Sequence, residues 1–107
     1  MIHAGQLRER VAFHEPTTER GARGEDIDTW AEVAKLPARV RQLSGRELER
    51  AQQIDTEATW EITTRYLESI TSDLRAIVEN GPTLAIVNVI DVDYRHRELR
   101  ILAKQHS

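Results

Sequence analysis

The clearest alternation of apolar and polar positions in the chain lies between residues 58 and 66. Aromatic and β-branched side chains recur there at every second position from Trp60 to Tyr66. Because successive side chains of an extended chain point to opposite faces, the pattern predicts a half-buried β-strand. We expect the buried side to be Trp60, Ile62, Thr64 and Tyr66. The side expected to face water is Glu61, Thr63 and Arg65.

Weaker patterns of the same kind predict about five more short strands. They lie near residues 7–14, 29–43, 74–79, 83–93 and 98–104. The first five residues are expected to form a loose end. Pro37 interrupts the second segment, and because proline cannot donate to a strand ladder it implies a bulge, a bend or an edge position. The pair Asn80-Gly81 suits the positive backbone angles of a tight hairpin.

The most apolar run, residues 83–93, changes its pattern part of the way along. Leu84 and Ile86 share one parity, whereas Val87 and Val89 share the other. The segment is therefore buried on both faces or switches face through a bulge at Asn88. We favour the bulge, because asparagine tolerates the left-handed backbone conformation better than most residues.

One short helix is predicted to begin at Ser44. The run Ser44-Gly45-Arg46-Glu47 has the form of a capping box, in which the Ser44 hydroxyl and the Glu47 carboxylate each bind an exposed backbone amide. Leu43 and Leu48 have the spacing of a hydrophobic staple around this cap. A narrow apolar stripe then continues for about three turns at helical spacing, formed by Leu48, Ala51 and Ile54.

These elements predict a mainly β fold, a small antiparallel β-barrel or sandwich of about six strands with one short helix and a long loop. The long loop is the polar stretch from Glu15 to Asp28. Loops of this length in so small a domain are either functional or disordered. No internal repeat or second domain is visible, so we expect residues 1–107 to form a single domain.

The composition mainly excludes classes of protein and of site. The 107-residue chain is 39% hydrophobic and 31% charged, and its mean hydropathy of -0.55 is typical of a soluble folded protein. It has no cysteine, which excludes disulfides, thiolate metal sites and cysteine nucleophiles. A net charge of -3 argues against a protein whose main task is to grip phosphates. With no membrane-length apolar run and no export leader, we expect no membrane partner and a cytosolic site of synthesis.

Candidate catalytic and metal-binding residues are few. The histidines have no partner at metal-ligand spacing and are expected on the surface: His3, His14, His96 and His106. Asp91 and Asp93 stand two apart at a strand end, and without further ligands or a matched acid and base they indicate a solvated turn. Ser44 precedes a glycine, but its capping role accounts for it. We therefore expect no catalytic residue, no metal site and no cofactor.

Two charged groups and the aromatic residues remain. The acidic cluster Glu25, Asp26 and Asp28 lacks the spacing of a calcium loop and is interpreted as solvated. The most concentrated basic group consists of Arg39, Arg41, Arg46 and Arg50. These arginines face DNA or an acidic partner, or they form a hydrated surface with acidic neighbours; the pattern leaves both readings open. The aromatics expected in the core are Phe13, Trp30, Trp60 and Tyr66. The residues alone thus indicate a noncatalytic β-domain that binds other proteins.

Several short motifs are more informative in their order than any one of them is alone. They are Ala4-Gly5-Gln6-Leu7-Arg8-Glu9-Arg10-Val11, Thr29-Trp30, Pro37-Ala38-Arg39-Val40-Arg41-Gln42-Leu43-Ser44-Gly45-Arg46-Glu47, Ile62-Thr63-Thr64-Arg65-Tyr66, Asn80-Gly81 and Arg97-Glu98-Leu99-Arg100-Ile101-Leu102. In this order and spacing, from Gly5 almost to the C-terminus, the chain resembles the head-tail joining, or head closure, family of tailed bacteriophages. It departs from the family pattern at Pro37 and Leu84, where aromatics occur, and at Asn88, where glycine is typical.

The resemblance implies a small β-barrel protomer that assembles into a ring of twelvefold order beneath the portal and adaptor. Such a ring seals the channel of the DNA-filled head and offers a platform for the tail, without enzymatic activity. The implied partners are the portal or adaptor protein, a tail terminator or tail-completion protein, other copies of the chain, and double-stranded DNA that passes without tight binding. The implied location is the neck of the virion, after assembly in the host cytoplasm.

Two segments are the candidates for contact with these partners. The first is expected to contact a neighbouring subunit or the adaptor through Arg39, Arg41, Ser44, Gly45, Arg46, Glu47 and Arg50. The second is a lumen segment that acts as a stopper or gasket, for which the long loop from Glu15 to Asp28 and the helix with its return, Ser44 to Glu57, both remain open. The loop residues expected to face the lumen or a docking partner are Arg20, Arg23, Glu25, Asp26 and Asp28. A further hypothesis is that an exposed edge strand accepts a partner's terminal segment. The alternative class is an OB-like nucleic-acid-binding barrel, supported by the arginine-bearing strand.

Overall fold

The computed structural model describes residues 7–106, so the expected loose end at residues 1–5 and His3 lie outside the described part of the chain. The elements in chain order are β1 (Glu9–Arg20), β2 (Asp26–Gln42), α1 (Gly45–Ile54), β3 (Trp60–Arg65), β4 (Arg75–Val78), β5 (Thr83–Asp91) and β6 (Glu98–Gln105). A 3₁₀ turn, Val92–Tyr94, separates the last two strands.

The six strands close into an antiparallel barrel. Around its circumference the order is β1-β2-β3-β6-β5-β4, and β4 pairs with β1 to complete the wall. The strand predicted from the clearest alternation, β3, lies between β2 and β6. The prediction of a mainly β, six-stranded antiparallel fold with one short helix is confirmed, and closure makes it a barrel. Every strand of the described barrel wall has a partner on both sides. The outer edges of β1 at residues 15–20 and of β2 at residues 26–37 pair with no third strand in the described chain, so strand addition by a partner stays a prediction for these edges.

The barrel interior is filled by inward-facing residues of every strand. Its largest fully buried apolar side chains are Val11, Phe13, Ile62, Leu84 and Ile101. Burial of each such side chain contributes about 1.5–3 kcal/mol relative to exposure. Trp60 and Tyr66, predicted to lie in the core, pack against this cluster but remain half-buried.

The prediction of a long loop from Glu15 to Asp28 is wrong. Strands β1 and β2 continue through it as a two-stranded arm, in register from Glu15 opposite Ala31 to Arg20 opposite Asp26. A short turn at residues 21–25 closes the arm, with Gly21 N donating to Glu25 O at 2.7 Å. Apolar and polar residues alternate in a strand when one of its faces is buried. Both faces of the arm lie away from the core, so its sequence has no such alternation and could not be predicted as strands.

The arm gives the molecule its long dimension, since the principal extents are 50 × 28 × 27 Å. Trp30 anchors its base, because the Arg75 guanidinium lies 4.3 Å above the indole ring. The imidazole of His106 meets the same indole edge-on, at 6.3 Å between centroids. Trp30 therefore packs against the root of the arm, and the prediction that it belongs to the barrel core is wrong.

Pro37 lies in an unbroken part of β2, opposite Arg10 of β1. Strand β2 pairs with β3 only from Ala38 onward, so its second edge is open at Pro37. Of the predicted bulge, bend and edge position, the structure therefore shows the edge position. The missing N–H of proline costs little stability there, because no neighbouring strand needs it as a donor. The bulge in this pair lies elsewhere, where the register shifts between Phe13 and His14.

A bulge near Asn88 is confirmed in β5. Ile86 pairs with Ala103 and Asn88 with Leu102, which leaves Val87 as the extra residue. Asn88 itself is not among the described residues with positive φ, so the left-handed conformation proposed for it is wrong. In the preceding hairpin, Asn80 adopts positive φ, at 60°, whereas Gly81 does not, so the predicted pair of positive angles is only half formed.

Helix α1 packs on the outside of the barrel. Ala51 is buried in a second apolar cluster with Leu43, Ala58 and Leu102, and Leu48 packs against it. This shared cluster confirms the predicted staple of Leu43 and Leu48. Ile54, expected to continue the apolar stripe, is instead half exposed at the end of the helix.

The predicted capping box is not formed. Ser44 occupies the N-cap position with extended backbone angles, but its side chain makes no capping hydrogen bond. The Glu47 carboxylate is occupied by Arg41, as described below. Gly45, with φ of +58°, allows the backbone to turn into the helix at a conformation that other residues rarely adopt.

Candidate functional site

The outer face of β2, β3 and β6 carries a buried ion-pair network centred on Glu61. Its side chain is only 8% exposed. Arg41, directly opposite on β2, donates from Nη2 to Glu61 Oε1 at 3.0 Å. Arg100 of β6 donates from Nε to Glu61 Oε2 at 2.7 Å. The prediction that Glu61 faces open water is therefore wrong, because two guanidinium groups cover it.

The network also reaches helix α1. Arg41 Nη1 lies 2.8 Å from Glu47 Oε2, so one guanidinium joins the helix to strands β2 and β3. Arg41 and Glu47 were predicted to bind a partner. Their charges are instead paired within the subunit. Their geometry suits them to position the helix against the barrel.

The electrostatics of the network favour the charged forms. Burial by itself raises the pKa of Glu61, but hydrogen bonds from Arg100 and Arg41 outweigh it, and the net pKa lies below its usual value. The hydrogen bond to Glu61 raises the pKa of Arg41 despite partial burial. The carboxylate is therefore ionised at neutral pH and holds both arginines in place.

The other arginines of the predicted partner surface remain available. Arg46 and Arg50 are exposed one helical turn apart on α1, and Arg39 is half-buried on β2 opposite Thr63. Among residues 7–106, none of these three side chains has a hydrogen-bond or ion-pair partner. Ser44 and Gly45 are exposed beside them. The structure thus divides the predicted group into a structural Arg41–Glu47 pair and three unneutralised cations.

The predicted docking residues of the polar stretch lie at the tip of the arm. Arg20 and Asp26 face each other as its last strand pair, while Arg23 lies in the turn. Glu25 and Asp28 flank Asp26, and all five side chains are exposed. Within the described chain none of them forms a salt bridge. The tip is therefore a charged projection on a paired scaffold.

A further site, which the sequence did not reveal as one, is the connection between β5 and β6. Asp91 receives the backbone N–H of His96 at 3.0 Å and also contacts the His96 ring nitrogen. Asp93, Tyr94 and His96 all have positive φ, between 52° and 56°. Tyr94 is 79% exposed. Side chains in this conformation are strained, and such residues concentrate at functional positions.

This connection and the end of β3 enclose a cleft of about 590 Å³. Its cationic lining is Arg65, Arg95 and Arg97. The run Tyr94-Arg95-His96-Arg97 is visible in the sequence, but only the fold brings Arg65 to it. The prediction of a solvated turn holds for Asp93, which is exposed. It is wrong for Asp91, whose side chain is only 18% exposed and is bound to His96. His96 and His106 are exposed as predicted, whereas His14 is half-buried on β1.

Two of the candidates for chemistry can be followed in residues 7–106, namely metal ligands and the Ser44 hydroxyl. They contain no group of three or more His, Cys, Asp or Glu side chains placed to hold a metal ion. The exposed Ser44 hydroxyl has no hydrogen-bond partner among them to serve as a base. No helix in that part of the chain is long and apolar enough to cross a membrane.

The described chain is a closed six-stranded barrel with a charged arm, an outer helix and an arginine-lined cleft. Residues 2–106 match the model of the phage head completion protein family, and the chain belongs to this family. It is 29% identical over 90 residues to head completion protein gp7 of Enterobacteria phage HK97, a match that covers 83% of this chain and 80% of that protein. The resemblance to phage head-tail joining proteins is thereby confirmed.

Two solved structures have the same fold. Protein SF1141 from Shigella flexneri 2a superposes with a TM-score of 0.75 at 24% identity, covering 99% of this chain and 98% of that one. A chain from the virion of a native gene transfer agent particle gives a TM-score of 0.56 at 14% identity, with coverage of 94% and 96%. At these identities the likeness concerns the fold.

Proposed function

We propose that this chain is a head-closure subunit of a phage neck. It acts as one domain, in a ring between the portal or adaptor and the tail, where it closes the DNA-filled head and carries the tail attachment platform. Membership of the head completion family is the observation that carries this proposal. The subunit works by binding alone, without a cofactor and without making or breaking a covalent bond.

The proposed surface for the adaptor or a neighbouring subunit is the outer side of α1 with the adjoining part of β2. Arg39, Arg46 and Arg50 are the cations that it offers to an acidic partner. An exposed charge without an internal partner is free to steer association and to select its partner by complementarity. Arg41 and Glu47 hold the helix that carries this surface, and Ser44 with Gly45 forms its entry.

The proposed lumen or docking segment is the arm, with Arg20, Arg23, Glu25, Asp26 and Asp28 at its tip. Backbone pairing from Glu15 to Arg20 supports these charges at a distance from the barrel. A paired arm loses less entropy on docking than a disordered loop, so it suits a gasket or a peg. The portal or adaptor, a tail terminator or tail-completion protein, and further copies in a twelvefold ring are the proposed partners.

Double-stranded DNA is proposed to pass the ring without tight binding. A protein that neutralises many phosphates with Lys or Arg binds DNA strongly and with a steep salt dependence. The net charge of -3 and the buried pairing of Arg41 and Arg100 both limit such binding. The proposed location is accordingly the virion neck, reached after assembly in the host cytoplasm.

An OB-like nucleic-acid-binding function is the second candidate. The observation in its favour is the set of unneutralised cations Arg39, Arg46 and Arg50. Against it, the large aromatics Phe13, Trp60 and Tyr66 are used in or against the core, where they cannot serve as stacking platforms.

The experiment that tests the main proposal is deletion of the gene from its phage or prophage, followed by complementation. We expect the deletion to leave DNA-packaged heads that lose their DNA and do not join tails. Supplying the intact chain restores joining. Heads that retain DNA and join tails at the normal level without the chain would exclude a head-closure role.

A further inference from the structure

The arm carries more negative charge than the chain as a whole. Residues 15–32 contain six carboxylates and two arginines, a net charge of -4, whereas the whole chain has -3. The remainder therefore has a net charge of +1. Within the described chain none of the six carboxylates forms a salt bridge. Elsewhere in the described chain, Glu61 and Glu57 each form a salt bridge with an arginine or lysine.

The cleft between β3 and the β5–β6 connection has the opposite property. The guanidinium groups of Arg65, Arg95 and Arg97 are exposed, and none of them makes a hydrogen bond or ion pair with the rest of the described chain. Two carboxylates, Asp93 and Glu98, also line the cleft, so the cations exceed the acids by one. His96, also in the lining, is already paired with Asp91.

Exposed apolar side chains accompany both charged groups. Among the described residues only three large hydrophobic side chains are strongly exposed, namely Ile27, Ile54 and Tyr94. Ile27 lies at the arm tip between Asp26 and Asp28, and Tyr94 lies in the connection that forms the cleft wall. Exposed apolar groups beside complementary charges are a common composition of protein interfaces.

We propose that the arm tip of one copy docks into the arginine cleft of a second copy. The acidic residues Glu25, Asp26 and Asp28 then meet Arg65, Arg95 and Arg97, and Ile27 packs against Tyr94. The two surfaces are different parts of the same chain, so the contact is head-to-tail, and its repetition builds a ring when the rotation closes. This inference deepens the proposed function, but the contact itself is testable without heads.

Charge complementarity favours the arm tip of a second copy of the chain as the group that occupies the cleft. In the subunit as it stands, the acidic tip and the basic cleft do not neutralise each other, because neither set of charges has a partner. Docking between copies neutralises both at once. It also covers two exposed hydrophobic side chains that otherwise remain in water.

The test uses two charge-reversed variants of the full chain. The tip variant carries Glu25→Lys, Asp26→Lys and Asp28→Lys, and the cleft variant carries Arg65→Glu, Arg95→Glu and Arg97→Glu. All six positions are exposed, so both variants should fold, which thermal unfolding within a few degrees of the wild type confirms. Each variant alone opposes like charges, whereas in an equimolar mixture every contact between the two different variants is complementary.

Sedimentation velocity at low salt, over increasing protein concentration, gives the first readout. We expect the wild type to associate beyond the dimer, each variant alone to associate at least about tenfold more weakly, and the mixture to recover. Added salt should weaken association, since the charges are exposed. Association of either variant equal to that of the wild type, or a mixture no better than its components, would overturn the proposal.

If the wild type sediments as a monomer at every concentration, the docking contact is tested by complementation of phage heads instead. Deletion heads are then complemented with the tip variant, the cleft variant or both together. Rescue of tail joining by the pair alone supports the docking; rescue by neither combination, or by one variant alone, contradicts it. Failure of the proposed function is recognised separately, because heads then join tails without any copy of the chain.

Duplex DNA is the competing occupant of the cleft. A filter-binding titration with the same proteins distinguishes it. If the cleft variant loses DNA binding while the tip variant binds as the wild type does, and the mixture restores no association, the cleft binds nucleic acid and the docking proposal is wrong.

Discussion

Arg41 and Glu61 face each other across strands β2 and β3, and Arg41 Nη2 donates to Glu61 Oε1 at 3.0 Å. Arg100 closes on the same carboxylate from the other side, and Glu47 binds Arg41 from the helix. One buried carboxylate therefore connects three strands and α1. This arrangement places the helix, and with it the proposed partner surface, at a defined position on the barrel.

The first prediction concerns the stability supplied by this network. Glu61→Gln should destabilise the protein by about 1–3 kcal/mol, because an amide accepts from one guanidinium and presents its own N–H groups to the other. Urea unfolding measures the change. The matched control is Glu57→Gln, which removes an exposed carboxylate, 58% accessible, that binds Lys104 at 2.5 Å. We expect the control to cost less than about 1 kcal/mol. Equal losses in the two variants would contradict a special role for Glu61.

The second prediction is the pH dependence of the same group. The pKa of Glu61 in the folded protein lies below its ordinary value of 4.5. Its stabilising contribution is therefore complete above about pH 4.5 and is lost as pH falls through the folded-state pKa. The free-energy difference between wild type and Glu61→Gln should be constant at neutral pH and shrink below pH 4.5. A difference that grows on acidification would mean that the sign of the shift is wrong.

The third prediction separates the arm from the barrel. Residues 17–29 contribute no buried side chain, so replacing them with an Asn-Gly turn should leave the barrel folded, with Tm lowered by only a few degrees. Trp30 stays in this variant and keeps its contact with Arg75. The shortened protein should nevertheless fail to complement the deletion. Full complementation by a folded barrel without the arm would show that the arm is not needed for head closure or tail joining.

The fourth prediction concerns the surface of α1. Charge reversal by Arg46→Glu and Arg50→Glu should leave folding intact, because neither side chain has a partner within the described chain, and it should abolish docking of the ring to the head. The charge-preserving control, Arg46→Lys with Arg50→Lys, should retain at least part of the function. Normal tail joining by the reversed variant would exclude this surface.

The fifth prediction addresses the nucleic-acid alternative. A salt titration of the isolated protein with double-stranded and single-stranded DNA should show only weak binding. Submicromolar binding that falls steeply with salt would favour the OB-like function instead.

The features that the sequence predicted well are those in which one face of an element is buried. Alternation from Trp60 to Tyr66 identified β3, and the change of parity around Asn88 identified the bulge that moves Val87 away from the barrel interior. In both cases one face of the strand is buried in the apolar core, so apolar residues recur at every second position. The order of the family motifs likewise identified the head completion family.

The features that the sequence did not predict depend on pairing across the fold. The arm has water on both faces, so nothing in its composition distinguishes it from a loop. Glu61 occupies a position of outward parity, and only the register places Arg41 and Arg100 over it. The capping residues failed for a related reason, since Arg41 takes the Glu47 carboxylate that a local motif assigned to the helix amides.

The central claim, that this chain forms the closure ring of the neck, is tested most directly by a cryo-EM map of mature particles. The account predicts a ring of these barrels, of twelvefold order, between the portal or adaptor and the first tail component, with DNA retained above it. Neck density that no copy of the barrel fits, in particles that contain DNA and a joined tail, would contradict the claim.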